Sequence, residues 1–308
     1  MQSLSCVIPV YNEEGTIPEL HRRLSEAMQK DFPEFLIEIV FIDDGSTDQT
    51  VPIILKLREQ DSRVKLVQFS RNFGHHIAIS AGLDYATGDF IVMMDGDLQD
   101  QPEEIIKLYQ KLQEGNDVVY GERIEKKFSL AKRVNSAVFI AVLRRLVNEP
   151  ITINTTIFRI MTKQVVENIK LLRERNRYVV GVVGWVGFKH TAQPVEHGER
   201  YAGVTKYRLK HQMALAMNAA FSYSTYALTL VTRIGFLFVA LSLAASFWIL
   251  YRKLAYGTSV TGWASIAIAV LGIGGFQTIV LGMIGEYVGR NYIENKNRPL
   301  YVIREFYG

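Results

Sequence analysis

The chain has 308 residues, a formal net charge of +4 and 48% hydrophobic content, enough for one large or two ordinary domains with a sizeable core. Its single cysteine, Cys6, excludes an intramolecular disulfide and fits a reducing compartment. No internal repeat, low-complexity tract or nucleic-acid motif accompanies the modest positive charge, and no nucleic-acid partner is expected. Apolar runs of strand length follow in order: Leu4 to Val10, Phe35 to Ile42, Val64 to Phe69, Phe90 to Met94 and Asp117 to Tyr120. Helix-like segments lie between them, from Thr16 to Lys30, Asp48 to Gln60, His75 to Ala86 and Pro102 to Glu114. This alternation predicts an α/β domain with a mostly parallel sheet and functional loops at the strand C-termini.

Polar clusters fall at those loops. Tyr11-Asn12-Glu13-Glu14 follows the first strand, Asp43-Asp44-Gly45-Ser46 the second, and Asp95-Gly96-Asp97-Leu98-Gln99-Asp100 the fourth. If the apolar run is a strand, Asp95 and Asp97 at its end are expected to point the same way because strand side chains alternate. Two hard oxygen donors converging on one point repel each other unless a cation such as Mg²⁺ or Mn²⁺ lies between them. A bare D-x-D triplet is also common as a solvated turn. His75 and His76 read as helix-start residues, with His75 the one that could approach a bound sugar or diphosphate; no further His or Cys has metal-ligand spacing to them, which argues against zinc.

The second half differs in character. No charged residue occurs over the 18 positions from Ile234 to Tyr251, nor over the 32 from Leu254 to Gly285. A membrane span needs about 20 largely apolar residues, so two transmembrane helices joined near Arg252-Lys253 are expected, with buried core helices as the alternative. No basic, apolar secretory leader is visible before Leu4. Arg208, Lys210 and Arg233 before the first span, and Arg290, Lys296, Arg298 and Arg304 after the second, predict that both flanks are cytoplasmic. Between Arg123 and Glu149, seven basic residues face two acidic ones, and Phe128, Leu130, Val134, Val138 and Leu146 supply an apolar stripe. Such a basic amphipathic helix suits an anionic leaflet, or else packs on the sheet; Tyr207 to Tyr226 is a second candidate.

The combination of Val7-Ile8-Pro9-Val10-Tyr11-Asn12-Glu13-Glu14, Asp43-Asp44-Gly45-Ser46-Thr47-Asp48, Arg71-Asn72-Phe73-Gly74 and Asp95-Gly96-Asp97-Leu98-Gln99-Asp100 resembles the family 2 glycosyltransferases of GT-A fold. Leu281 to Arg290 and Arg298-Pro299-Leu300-Tyr301 resemble the C-terminal segment of the polyisoprenyl-phosphate subgroup, which includes dolichol-phosphate mannose synthases and, closer in its two-span arrangement, bactoprenol glucosyltransferases. The resemblance implies that Pro9, Tyr11, Glu13 and Asp44 hold the nucleoside, joined by Asp95, and that Asp95, Asp97 and Gln99 hold Mg²⁺ or Mn²⁺ against the diphosphate. It implies phosphate-facing roles for Arg123, Arg200 and Lys206, and places Asp97, Arg123 and Lys206 at the reacting centre. Charge building on the leaving oxygen is what a cation with Arg or Lys stabilises.

One position departs from the family. Where its members commonly carry Asn-Thr-Gly-Asp-Phe-Arg-Leu-Met, this chain reads Asn154-Thr155-Thr156-Ile157-Phe158-Arg159-Ile160-Met161, so Ile157 replaces a carboxylate considered for base or positioning duty. Loss of a general base costs roughly 10²- to 10⁴-fold with a neutral hydroxyl acceptor. A phosphate monoester, with its second pKa of about 6, needs no such base.

The expected activity is inverting transfer of a sugar from a nucleotide sugar, UDP-linked by resemblance, to a polyisoprenyl phosphate such as undecaprenyl phosphate at the cytoplasmic leaflet of a bacterial inner membrane. Residues 1–122 would form the nucleotide-sugar core, 123–230 the acceptor side, 231–285 the two spans and 286–308 a cytoplasmic tail. Tetrameric relatives suggest a homo-oligomer. The competing readings are a processive polysaccharide synthase, disfavoured because no Gln-x-x-Arg-Trp segment is present, and a catalytically degenerate scaffold, for which Ile157 is the only support.

Overall fold

The computed structural model describes residues 1–123, 155–175, 177, 179–198, 226–256 and 262–308. In chain order these form β1 (Ser3–Val10), α1 (Ile17–Asp31), β2 (Leu36–Asp43), α2 (Thr50–Gln60), β3 (Val64–Phe69), α3 (His75–Tyr85), β4 (Phe90–Met93), a 3-10 turn (Pro102–Glu104), α4 (Ile105–Gln113) and β5 (Val118–Arg123). After the undescribed stretch come β6 (Thr155–Thr162), α5 (Lys163–Leu171), α6 (Val179–Trp185), β7 (His190–Val195), the long helices α7 (Tyr226–Tyr256) and α8 (Trp263–Asn295), and β8 (Ile303–Tyr307). The long helices belong to one compact unit, and the sheet with its covering helices and β8 to another.

The eight strands lie in the order β7-β5-β6-β4-β1-β2-β3-β8. The central β4-β1-β2-β3 block is parallel, as the alternation of strands and helices requires. From Leu4 to Val10, β1 is buried throughout. Strands covered on both faces read as continuous apolar runs, which is why their sequence pattern is strong. Helix α1 buries Ile17, Leu20, Leu24, Ala27 and Met28, the spacing of one helical face. Helix α3 is held close to the sheet because position 82 is glycine: a Cβ there would stand 2.2 Å from Val7 Cγ1 and 2.7 Å from Ile42 Cδ1.

Register explains why the polar loops meet. Val10 is level with Asp43, and Val7 with Met93, so β1, β2 and β4 all end at one edge of the sheet. The loops that follow them emerge side by side.

The apolar runs do not announce β6, β7 or β8. Strand β6 lies antiparallel between β4 and β5, with Arg159 opposite both Met93 and Tyr120. At the far edge β8 pairs antiparallel with β3, within the segment expected to be a tail. The chain leading into it is anchored by Tyr301, whose ring stacks 5.1 Å from that of Phe69 and whose hydroxyl donates to Asp84 Oδ2 at 2.8 Å. Taken over the described residues alone, no helix is long and apolar enough to cross a membrane.

Candidate active site

The loop after β1 is laced to the loop after β2. Asn12, in the left-handed region at φ 55°, donates its N–H to Ser46 Oγ at 2.9 Å and accepts from Thr47 N through Oδ1 at 2.9 Å. Glu14 Oε2 accepts from Gln49 N at 2.9 Å, and Glu13 N donates to Thr50 Oγ1 at 2.9 Å. The Glu13 carboxylate accepts from the Thr16 hydroxyl at 3.1 Å. Short polar side chains that satisfy neighbouring backbone in this way fix loops without regular structure. Pro9 is buried within β1, whereas Tyr11 at the strand's end is 41% exposed, leaving aromatic surface open to a planar ligand.

Asp43 and Asp44 turn inward. Asp43 is fully buried and accepts from Ser46 N at 3.0 Å. Asp44, 4% exposed, accepts from Phe73 N at 2.7 Å through Oδ1 and from Gly74 N at 3.0 Å through Oδ2. Burial raises the pKa of both carboxyls despite these hydrogen bonds. Expected at the nucleoside, Asp44 thus holds the 71–74 loop with both oxygens. Gly45 lets the two loops touch: at φ +76° its backbone lies so close that a Cβ would stand 2.6 Å from Arg71 C.

The third loop carries Asp95, Asp97, Gln99 and Asp100. Asp97 is 8% exposed and accepts from Gln99 N at 3.1 Å, with Leu98 between them at φ 63°. Gln99 itself is half-buried. Asp95 Oδ1 lies 3.4 Å from His75 Nε2. The crowding of protein around the His75 ring lowers its pKa, outweighing the pull of the Asp44 and Asp97 charges. Asp100 is 3% exposed and accepts from Asp95 N at 3.3 Å. Burial, then the charge of Asp95, pushes its pKa up to about 7, while Arg123 acts in the opposite sense. The loop is stapled to a distant segment by a bridge between Asp100 and His197 and by Gly198 N donating to Gln99 O at 2.9 Å.

Arg123 ends β5 with its side chain exposed. Arg200, Lys206, the basic helix expected after Arg123 and most of the 207–226 segment lie outside the described residues. Ile157 packs against the apolar cluster beneath α3, and its carbonyl accepts from Arg159 Nε at 3.2 Å. Among the described residues no group of three or more His, Cys, Asp or Glu forms a ready metal cage. The crowded carboxylates of Asp95, Asp97 and Asp100 nonetheless suit a hard dication, which commonly uses one or two carboxylates and fills its other positions with water and substrate phosphate. The sequence reading missed Asp43, Asp100 and His197 as parts of this site. Asp100, the third acidic residue of its cluster, carried a visible signal; His197 carried none.

Residues 5–170 match the profile of glycosyl transferase family 2. The chain belongs to this family. An uncharacterized glycosyltransferase of Bacillus subtilis, YkcC, is 42% identical over 305 residues, covering 99% of this chain and 94% of its own. A prophage bactoprenol glucosyl transferase homolog of Escherichia coli is 39% identical over 302 residues, covering 98% of each chain. Among solved structures, the mannosyltransferase PcManGT of Pyrobaculum calidifontis, in complex with GDP-Man and Mn²⁺, superposes with a TM-score of 0.50 at 17% identity, covering 96% of this chain and 87% of that one. That likeness bears on the glycosyltransferase fold alone.

Proposed function

We propose that this family 2 glycosyltransferase moves a sugar, with inversion, from a UDP-sugar to a polyisoprenyl phosphate such as undecaprenyl phosphate at the cytoplasmic face of a membrane. The observation that carries the reading is the length of the likeness. The family match ends at residue 170, whereas the bactoprenol glucosyl transferase of Shigella flexneri is 38% identical over 98% of this chain and so extends across both long helices. That length of likeness supports reading the acceptor side, as well as the donor side, by analogy with these relatives.

In this reading the Tyr11 ring stacks on the base, and Asp44 acts by fixing the 71–74 loop around the donor. Asp95, Asp97 and Gln99 would hold Mg²⁺ or Mn²⁺, which when bound supplies positive charge to the leaving diphosphate. Arg123, with Arg200 and Lys206, adds positive charge at the phosphates. The acceptor phosphate is mostly dianionic above its second pKa of about 6, so its oxygen attacks the anomeric carbon without a protein base. Ile157 is then tolerated. Attack opposite the leaving oxygen turns an α-linked donor into a β-linked lipid-phosphate sugar.

The two long helices are proposed to anchor the chain in the bilayer. Over the full sequence, uncharged runs of 18 and 32 residues exceed or approach the about 20 that a span requires. Phe236, Leu243, Phe247, Leu254, Ile266 and Leu281 on these helices are exposed, as lipid-facing side chains would be. The test is direct: purified full-length protein is incubated with undecaprenyl phosphate, Mg²⁺ or Mn²⁺ and a panel of nucleotide sugars, and glycolipid is read by mass spectrometry. A product from one UDP-sugar supports the reading; transfer only to non-lipid acceptors refutes it.

A further inference from the structure

We propose that Gly198 is a positioning residue of the donor site: the close fit of its backbone against Leu98 holds the turn that sets Asp97 and Gln99 toward the donor diphosphate. This role rests on the nucleotide-sugar donor proposed above. Leu98 stands at φ 63°, in the left-handed region that a leucine rarely adopts. Such a residue persists only where its surroundings over-determine it, and strain of this kind clusters at active sites and ligand clamps. The surroundings do so here. The Leu98 side chain is buried in the apolar cluster on one face of the sheet, and Gln99 N donates to Asp97 Oδ1 at 3.1 Å across the turn. Gln99 O then accepts from Gly198 N at 2.9 Å, a bond made by a residue about a hundred positions away in sequence.

The chain just after β7 runs antiparallel beside this loop and is tied to it at successive residues. Glu196 N donates to Glu104 Oε2 at 3.3 Å, His197 forms the backbone bridge with Asp100, and Gly198 bonds to Gln99. Conformation does not require glycine at 198, because its φ lies outside the left-handed region. Space does: a Cβ there would stand 3.1 Å from Leu98 O and 3.7 Å from Gln99 O. Nor is the loop free to retreat, since Gly96 is pressed against β1, where a Cβ would meet Val10 Cγ1 at 3.0 Å and Pro9 O at 3.3 Å. A side chain at 198 therefore displaces the Leu98 carbonyl, and with it the residues on either side, Asp97 and Gln99. Groups that bind a ligand keep their geometry only when the supporting contacts behind them are fixed. Gly198 lies beyond residue 170, where the family match ends, so the donor loop is completed by a part of the chain outside that match.

The full-length parent, Gly198→Ala and Gly198→Val are titrated with UDP in the presence of Mn²⁺ and, separately, with uridine. Uridine probes the Tyr11 side of the site, whereas UDP adds the diphosphate that Asp97 and Gln99 face. UDP affinity should fall about tenfold or more in Gly198→Val, the lower end of the loss when residues supporting such a site are changed. Gly198→Ala should lie between it and the parent, with uridine affinity unchanged in both variants. A glycine needed only for folding would cost both ligands alike. Parent-like UDP affinity in Gly198→Val, or equal losses of UDP and uridine, overturns the role of Gly198 and leaves the donor reading standing. A parent that does not bind UDP overturns both.

Discussion

Replacing Gly45 with alanine tests whether the contact between the second and third strands' loops builds the donor site. At φ +76° an alanine carries left-handed strain of about 1 kcal/mol. Its Cβ would also stand 2.6 Å from Arg71 C and 2.7 Å from Asn72 N, against ordinary contact at 3.4 Å or more, so backbone must move by about 0.8 Å (3.4 − 2.6). That shift is enough to break at least one of the hydrogen bonds that Asp44 accepts from Phe73 N and Gly74 N. Each such bond to a charged group is worth about 1.5–3 kcal/mol, and the lower end applies because burial already disfavours the ionised carboxylate. The sum is about 2.5 kcal/mol, or a fall in Tm of roughly 5–10 °C for a domain of this size. Misplacing binding groups by such a distance costs about 10²-fold in rate, so kcat/KM for the donor should fall by that order. Gly74→Ala is the control: its φ of +102° brings strain, but nothing lies within 4 Å of the added Cβ. Thermal unfolding and donor titrations on both variants decide the matter. If Gly45→Ala is no more damaging than Gly74→Ala, the loop contact does not have the role assigned to it.

Asp97→Asn should reduce kcat by about 10²-fold or more, the scale for losing one group that stabilises transition-state charge, with little change in Tm; near-parent turnover that survives a chelator would refute the cation assignment. Ile157→Asp should raise the rate by less than tenfold, and the parent rate should climb with pH through the acceptor's second pKa of about 6 and then level off; a gain of about 10²-fold would show that a base had been missing. Cys6 is fully buried, and burial, reinforced by Glu38, pushes its thiol up to about 12 from 9.0. The native thiol therefore keeps a proton that the unfolded chain releases first, so stability declines above pH 9 by up to about 1.4 kcal/mol per pH unit. Denaturant titrations of Cys6→Val between pH 8 and pH 11 should show a shallower decline; an identical slope would exclude Cys6 as its source.

The five strands and four helices read from apolar runs were legible because parallel, doubly covered strands leave little room for polar residues. Val64–Phe69 appears with the same limits in the structure. The missing strands obey other rules. In β6 the charged Arg159 interrupts the pattern yet is itself buried, at 2% exposure. Strand β7, His190–Val195, lies at an edge and tolerates a proline, and β8, Ile303–Tyr307, is short and charged. For the site, strand-end placement of Tyr11, Asp95 and Asp97 followed from periodicity and topology. The partnership of Asp44 with the 73–74 backbone did not, because hydrogen bonds between loops 29 and 30 residues apart leave no local sequence pattern. The approach of His75 to Asp95 was hidden for the same reason.

The return of the chain to β3 changes what the long helices are. With β8 and Tyr301 docked on the sheet, the helical unit is an insertion within the catalytic fold, bracketed in sequence by parts of one sheet. A fragment ending ahead of α7 would lack the strand that caps β3. Val64–Phe69 would then offer an unpaired edge, and edges of that kind recruit strands from other chains. Excising the helices while rejoining the sheet to its last strand removes the apolar surface and keeps the clasp closed.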